Sequence, residues 1–528
     1  MAGEFDYVIV GGGSAGCVLA NRLSEDPATS VLLLEAGARD WHPMIHVPVG
    51  YAYNLKRTTF NWMYQTEPEP GAAMRRIFWP RGKVLGGSSA LNGMINVRGQ
   101  SADYDHWRQL GNAGWSWDDV LPYFRKLENY QQGTGPDRGH EGPLTITKVE
   151  PHQVSDAFLA ALASMGLKER DTNVGEQDGY SYVESTTRNG VRQSTAAAYL
   201  KPVRHRPNLK VITSALAEKI LFEEKRASGV RYRRRGTVQV VRANREVIVS
   251  AGAVNSPQLL ELSGIGRPEV LNNAGIPMIV ASLNVGENLQ DHYSAFCAYR
   301  VTQPVTINEL SRGLPFLREV MKYAVLRKGL LTLSPAHVLA YLRTRPEAAT
   351  PDIQIAILPA TLDAETNSLE SAPGMTCAPY QLRPESRGTV HIQSGEPRDH
   401  PKILANYLTA ELDQQTVVAS LRLSRTICEQ PALSAFRGLE LLPGKDLQSD
   451  DELLAFAREA GSTLYHPTST CRMGSDPAAV VDSQLRVNGV SGLRVVDASV
   501  MPTLISGNTN TPTIMIAEKA ADMIKAAS

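Results

Sequence analysis

Phe5-Asp6-Tyr7-Val8-Ile9-Val10-Gly11-Gly12-Gly13-Ser14-Ala15-Gly16 runs an apolar, strand-like segment straight into a glycine-rich turn. Val18, Leu19 and Leu23 then fall on one face of a helix over residues 15–23, and Val31–Leu34 is a second apolar run ending at Glu35. Strand, turn, helix and strand in that order make a βαβ unit. Without Cβ atoms at Gly11 and Gly13 the backbone can turn tightly and approach a pyrophosphate, whose charge the helix N-terminus stabilises. Gly16 lets helix and strand pack closely. Glu35 lies near the separation of about 20 residues at which an acidic side chain accepts hydrogen bonds from ribose hydroxyls. An adenine dinucleotide fits this unit better than a plain α/β turn does, but the motif does not choose between FAD and NAD.

The chain has 528 residues, beyond the roughly 250 to 300 at which a single core stops growing, so two domains sharing a crevice are expected. Its 54 basic and 54 acidic side chains cancel, which argues against nucleic acid as a partner. Five scattered cysteines (Cys17, Cys297, Cys377, Cys428 and Cys471) suit neither a disulfide framework nor a metal site, and with no secretory signal at the start they point to the cytoplasm. The longest uncharged run, residues 498–517, carries Ser499, Pro502, Ser506, Asn508, Asn510 and Pro512. It reads as strand, loop and helix start inside a fold, and leaves a peripheral contact at the inner membrane open.

Residues 41–80, rich in proline and aromatics, read as an irregular excursion. Strands are expected over 209–222 and 244–251, with a helix over 256–262. In the middle of the chain, 352–358 and 388–392 alternate as in an antiparallel sheet and 413–428 is helical. Towards the end, 493–496 is a buried-type strand and 513–525 a closing helix. The expected architecture is an α/β FAD-binding (Rossmann-like) domain over 1–150, 187–292 and 455–528. The second is an α+β substrate domain built on an antiparallel sheet over 151–186 and 293–454.

Further blocks choose the cofactor. Pro80-Arg81-Gly82-Lys83-Val84-Leu85-Gly86-Gly87-Ser88-Ser89-Ala90-Leu91-Asn92-Gly93-Met94 comes first, and Gly252-Ala253-Val254-Asn255-Ser256-Pro257-Gln258-Leu259-Leu260 runs on to Ser263-Gly264-Ile265-Gly266. Near the end stand Tyr465-His466-Pro467, Thr470-Cys471-Arg472-Met473-Gly474, Val496-Asp497-Ala498-Ser499 and Gly507-Asn508-Thr509-Asn510, with Asn288-Leu289-Gln290-Asp291-His292 before them. In content and order these resemble the glucose-methanol-choline oxidoreductase family, and most closely its bacterial choline, alcohol and polyglycol dehydrogenases.

The resemblance implies FAD. It puts Gly86 and Gly87 against the flavin, Asn92 near its reactive face, Asp497 at the ribitol and the Ala217 backbone near adenine. The full set of cofactor contacts it implies is Gly11, Gly13, Ser14, Ala15, Gly16, Glu35, Ala36, Arg81, Leu85, Gly86, Gly87, Ser89, Asn92, Gly93, Met94, Ile95, Ala217, Ala251, Gly252, Tyr465, Asp497, Ala498, Asn508 and Thr509. Some relatives attach FAD through a histidine at the Leu91 position; leucine has no nucleophile, so noncovalent FAD is expected.

Oxidising an alcohol removes a hydride from carbon and a proton from oxygen, and the flavin takes only the hydride. An imidazole, with its pKa near working pH, suits the proton. Among eleven histidines, the resemblance selects His466 as general base and Asn508 as the amide that orients the alcohol; His292 stands where the family has a structural Asp-His pair. The expected reaction is oxidation of a primary alcohol to an aldehyde, with a quinone, another acceptor or oxygen reoxidising the flavin. Rival readings are an alcohol oxidase making hydrogen peroxide, a non-redox lyase or photodecarboxylase on the same scaffold, an NAD dehydrogenase, and a non-catalytic flavoprotein. No oligomeric state is legible.

Overall fold

The first apolar run forms β1 (Glu4–Val10), the amphipathic segment α1 (Ser14–Leu23) and the second run β2 (Val31–Leu34). This computed structural model describes residues 3–363 and 369–527. β1 sits in the middle of a seven-stranded sheet, flanked in parallel by β2 on one side and the long strand Thr237–Val249 on the other. Leu209–Ile212 extends the sheet beyond β2, and Leu493–Val495 pairs in parallel with the end of Thr237–Val249. Such strands are covered on both faces, so β2 reads as an unbroken apolar run and is wholly buried. α1 buries Cys17, Val18 and Leu19 against this sheet and also packs on the closing helix Asn510–Ala526.

An antiparallel extension, Arg226–Arg234 and Ala215–Glu223, grows from the first half of Thr237–Val249. The expected strand over 209–222 is therefore two strands, broken at Thr213 and Ser214. There Ser214 adopts φ +55° and its N–H donates to Gly37 O (2.7 Å), turning the chain around the end of β2. The expected strand over 244–251 begins earlier, at Thr237, and stops at Val249.

The second unit is an eight-stranded antiparallel sheet. Its main path runs Arg437–Leu442, Cys297–Val301, Gly374–Gln381, Ile353–Leu358, Val338–Leu342 and Gly179–Tyr182. The helix Glu411–Glu429 packs on Gly374–Gln381 and shares its apolar core. One expected antiparallel strand forms but pairs elsewhere. Residues 388–392 do not join this sheet; Thr389–His391 pairs only with Lys402–Leu404, because His391 is held between Glu261 and Glu287 beside the first unit. Residues 498–517 hold a short 3-10 turn (Ala498–Val500), a loop and the start of Asn510–Ala526, with no strand. Among the described residues no helix is long and apolar enough to cross a membrane.

Candidate active site

Sterics build the cradle at the head of α1. Gly11 has φ +100°, and a Cβ on it would stand 2.4 Å from Ser250 O; a Cβ on Gly16 would stand 1.9 Å from Gly11 O. The helix therefore starts hard against the strand, and the first-turn N–H groups of Ser14, Ala15 and Gly16 lack intrahelical partners. Ser14 Oγ donates to Asn510 Oδ1 (2.7 Å), so the N-termini of α1 and Asn510–Ala526 converge. Glu35 is buried at the end of β2; it accepts from Gly12 N–H (2.8 Å) and Gly37 N–H (2.6 Å). Burial pushes its carboxyl up to about 7 against those two donors. Ala36 lies between the clasped residues, and Ala215 N–H donates to Glu35 O (2.8 Å), which places Ala217 two residues further along the adjoining strand.

The segment 81–95 crosses over this turn. Leu85 N–H donates to Ala38 O (2.9 Å) and Gly86 N–H to Gly12 O (2.7 Å). Gly86 (φ +95°) and Gly87 (φ +53°) are both left-handed, and a Cβ on Gly87 would come 2.7 Å from Gly13 Cα. Ser89 Oγ donates to Gly86 O (2.6 Å) and meets Thr195 Oγ1 (3.0 Å), which reaches Gly13 O. Asn92 Oδ1 accepts from Arg192 Nη1 (2.8 Å) and from Met94 N–H (3.1 Å). Gly93 lies under Pro335, and Ile95 bridges to Ser185. Leu91 is buried with Ile45, Phe60, Val84 and Ala90.

From the other side, Asp497 takes hydrogen bonds from Gly252 N–H (2.8 Å), Ser256 Oγ (2.5 Å), Ser499 N–H (2.8 Å) and Ser499 Oγ (2.6 Å). It caps the turn that begins at Ala498 and fixes the start of the helix after Ala251.

His466 is buried at the centre of a polar cluster. Its backbone N–H donates to Asp291 Oδ1 (2.7 Å), and Asp291 also accepts from the His292 backbone N–H, Thr463 Oγ1 and the Tyr407 hydroxyl. His466 Nδ1 lies 2.9 Å from His292 Nδ1, and its Nε2 lies 2.9 Å from Asn508 Nδ2. His292 Nε2 lies 3.0 Å from Leu382 O. A carbonyl only accepts, so His292 carries its proton on Nε2 and presents a bare Nδ1. His466 must then donate from Nδ1, which leaves its Nε2 as a lone pair facing the Asn508 amide. Desolvation, followed by His292 and Arg81, pushes the His466 imidazole well below its ordinary range, so the neutral base form is favoured. Arg81 is held beside it by Nη2 donating to Tyr465 O (2.8 Å).

Residues 5–294 match the N-terminal and residues 384–517 the C-terminal family profile described as GMC oxidoreductase. The chain belongs to the GMC oxidoreductase family. It is 43% identical to the mitochondrial choline dehydrogenase of Mus musculus over 99% of this chain and 89% of that one. It is also 43% identical to the oxygen-dependent choline dehydrogenase of Yersinia pestis, over 99% of this chain and 94% of that one. Pyridoxine 4-oxidase from Mesorbium loti superposes with a TM-score of 0.90 at 34% identity, covering 99% of each chain.

This GMC oxidoreductase is thus an FAD-dependent enzyme that oxidises alcohols. Its residues fit the cofactor. A Cβ on Gly252 would meet nothing within 4 Å and one on Gly13 only Gly87 Cα at 3.9 Å, so open space borders both glycines at the helix N-termini. Asn508 Oδ1 is buried and has no hydrogen-bond partner among the described residues.

Reading the sequence missed Arg192, whose buried guanidinium also donates to Asn92 O (2.7 Å) and Ser89 O (3.2 Å) and so braces the crossing segment. It stands outside every quoted block, and no local pattern marks it. His292 was visible in the Asn288 block, but its Nδ1 contact joins residues 174 positions apart.

Proposed function

We propose that this GMC oxidoreductase oxidises a primary alcohol to an aldehyde, with His466 Nε2 as the proton acceptor and Asn508 as the orienting amide. The observation that carries the proposal is the directed chain Leu382 O, His292, His466, which leaves an unprotonated nitrogen opposite an amide donor. In the free enzyme Asn508 Nδ2–H donates to that nitrogen. An alcohol entering between them gives its hydroxyl proton to His466 Nε2 and accepts from Asn508 Nδ2–H as negative charge grows on its oxygen.

FAD held in this cradle would supply the acceptor for the carbinol hydride, and a quinone, another acceptor or oxygen would reoxidise it. Asp291 holds the His466 backbone so that the ring keeps its place, and a second hydrogen bond from His466 Nδ1–H to His292 fixes its tautomer. Glu35, Ala36, the α1 head and residues 81–95 are the proposed cofactor cradle, with Gly86, Gly87 and Asn92 nearest the reacting ring. In this reading the chain divides into the cofactor domain (1–150, 187–292, 455–528) and the substrate domain (151–186, 293–454). Leu91 is enclosed by apolar side chains and offers no nucleophile, which supports noncovalent attachment.

The choline dehydrogenase relatives place amino alcohols among the substrates to try. The test is anaerobic flavin bleaching across aliphatic, aromatic and amino alcohols, choline included, followed by air. Bleaching by a primary alcohol with release of the aldehyde is the expected result. A flavin that no primary alcohol of the panel bleaches would overturn the proposal. Fast return of colour in air with hydrogen peroxide would make it an oxidase; slow return, relieved by a quinone, a dehydrogenase.

A further inference from the structure

The helix Gly313–Leu326 turns its apolar side outward. Leu314, Leu317, Met321 and Val325 are 60, 56, 57 and 72% exposed, and at 100° per residue they share an arc of about 80°. Arg318 and Lys322 border this stripe along one edge, and Arg312, Arg327 and Lys328 are exposed at the two ends. On the opposite side Tyr323 is buried, its hydroxyl donating to Gly190 O (3.1 Å), and the helix's one acid, Glu319, accepts from Leu330 N–H (2.7 Å). The polar anchors thus face the protein, while apolar and cationic side chains face out.

A folded monomer rarely leaves such a patch uncovered. The charge decides what covers it. A two-fold contact with a second copy would set Arg318 and Lys322 against their own equivalents, whereas an anionic surface meets a cationic rim around an apolar stripe. The helix has 14 residues and lies along the surface, so it suits the headgroup boundary of a bilayer rather than its span. It is also tied to the active site: just beyond it, Ser334 Oγ donates to Gly93 O (2.7 Å) and Pro335 covers Gly93, beside Asn92.

We propose that the helix Gly313–Leu326 docks this enzyme on an anionic lipid bilayer. Leu314, Leu317, Met321 and Val325 enter the boundary between headgroups and acyl chains, and the flanking arginines and lysines meet lipid phosphates. The docking stands apart from the catalytic assignment, since it involves neither His466 nor Asn508.

The test is co-sedimentation of the FAD-loaded enzyme with vesicles of mixed phosphatidylglycerol and phosphatidylcholine, and with phosphatidylcholine alone. The wild type should pellet with the anionic vesicles, less so at high salt, and at least about tenfold less with the neutral ones. Leu317→Glu with Met321→Glu should abolish pelleting, and Arg318→Ala with Lys322→Ala should weaken it on anionic vesicles. Both should keep the flavin spectrum and turnover with a soluble dye acceptor. A wild type that stays in the supernatant with anionic vesicles overturns the proposal. So does sedimentation velocity showing a wild-type dimer that Leu317→Glu with Met321→Glu makes monomeric while vesicle binding is unchanged, because the face would then be a contact between copies.

Discussion

Around Gly11, Gly13, Gly16, Gly86 and Gly87 the protein makes its site by leaving side chains out; around His466 it makes its site by stacking side chains from distant segments. A Cβ on Gly16 would come 1.9 Å from Gly11 O and one on Gly87 2.7 Å from Gly13 Cα, so the cradle is a backbone object with tolerances near a single methyl. The histidine cluster tolerates no such description. Its proposed role depends on which nitrogen carries a proton, and that is set by Leu382 O through His292. The cradle is a problem of shape and the cluster one of polarity, so the two should fail differently when broken.

The largest effect should come from the cluster. His466→Ala removes the proposed proton acceptor, and kcat/KM for alcohol should fall by about 10² to 10⁴-fold while flavin content stays normal. Stopped-flow flavin reduction under anaerobic conditions reads this directly. Reduction at the wild-type rate in a flavin-replete variant would remove His466 from the mechanism. Because desolvation holds His466 well below its ordinary range, the acid limb of the kcat/KM profile in the wild type should lie below pH 6.5.

His292 separates polarity from shape. His292→Leu removes the acceptor for His466 Nδ1–H without adding bulk to the flavin side, so the ring can adopt the other tautomer. A fall in kcat of about 10 to 10²-fold with little change in KM is expected, on the pattern of tautomer control in catalytic triads. His292→Gln, which restores an acceptor, should recover part of the loss. If Leu and Gln behave alike, His292 merely fills space.

The cradle should fail by shape. Gly16→Ala must move Gly11 or α1, at a cost of about 1 to 3 kcal/mol for overpacking. The visible result should be a lower melting temperature and substoichiometric flavin, with near-normal turnover per bound flavin. Normal flavin content and stability would mean that α1 can shift outward, and the contrast between the two regions would weaken.

The same contrast explains what could be read from the chain alone. β1, α1 and β2 lie within 35 residues, and each is signalled by local periodicity and glycine sterics, so their bounds agree with the sequence reading to a residue. The antiparallel character of the middle was legible because alternation marks a strand wherever it pairs. Where partnership decides, the signal ran out. Residues 388–392 alternate like a sheet strand, yet Glu261 and Glu287 draw His391 to the other unit. Likewise the block around Asp497 marks the residue, whereas its four hydrogen bonds come from Gly252, Ser256 and Ser499, two of them about 240 positions away. The outward stripe of Gly313–Leu326 has the periodicity of any amphipathic helix, and only the fold shows that its apolar side faces away from the core.

His391 offers the smallest effect and the one most sensitive to pH. Its Nδ1 faces Glu261 Oε1 (2.7 Å) and its Nε2 faces Glu287 Oε1 (3.2 Å), so both nitrogens donate and the ring is held as a cation. Burial opposes that charge, but hydrogen bonds to Glu261 and Glu287 overcome it and raise the pKa to about 9. A folded pKa above the ordinary 6.5 means stability that is fully present below pH 6.5 and drains away as pH climbs through 9. His391→Gln keeps one donor and no charge. Its melting temperature should be lower than wild type by about 2 °C at pH 6, with the gap closing by pH 9.5. A gap that stays constant across this range would show that His391 contributes packing alone, and a gap that widens with pH would reverse the sign of the linkage and place the proton elsewhere in the clamp.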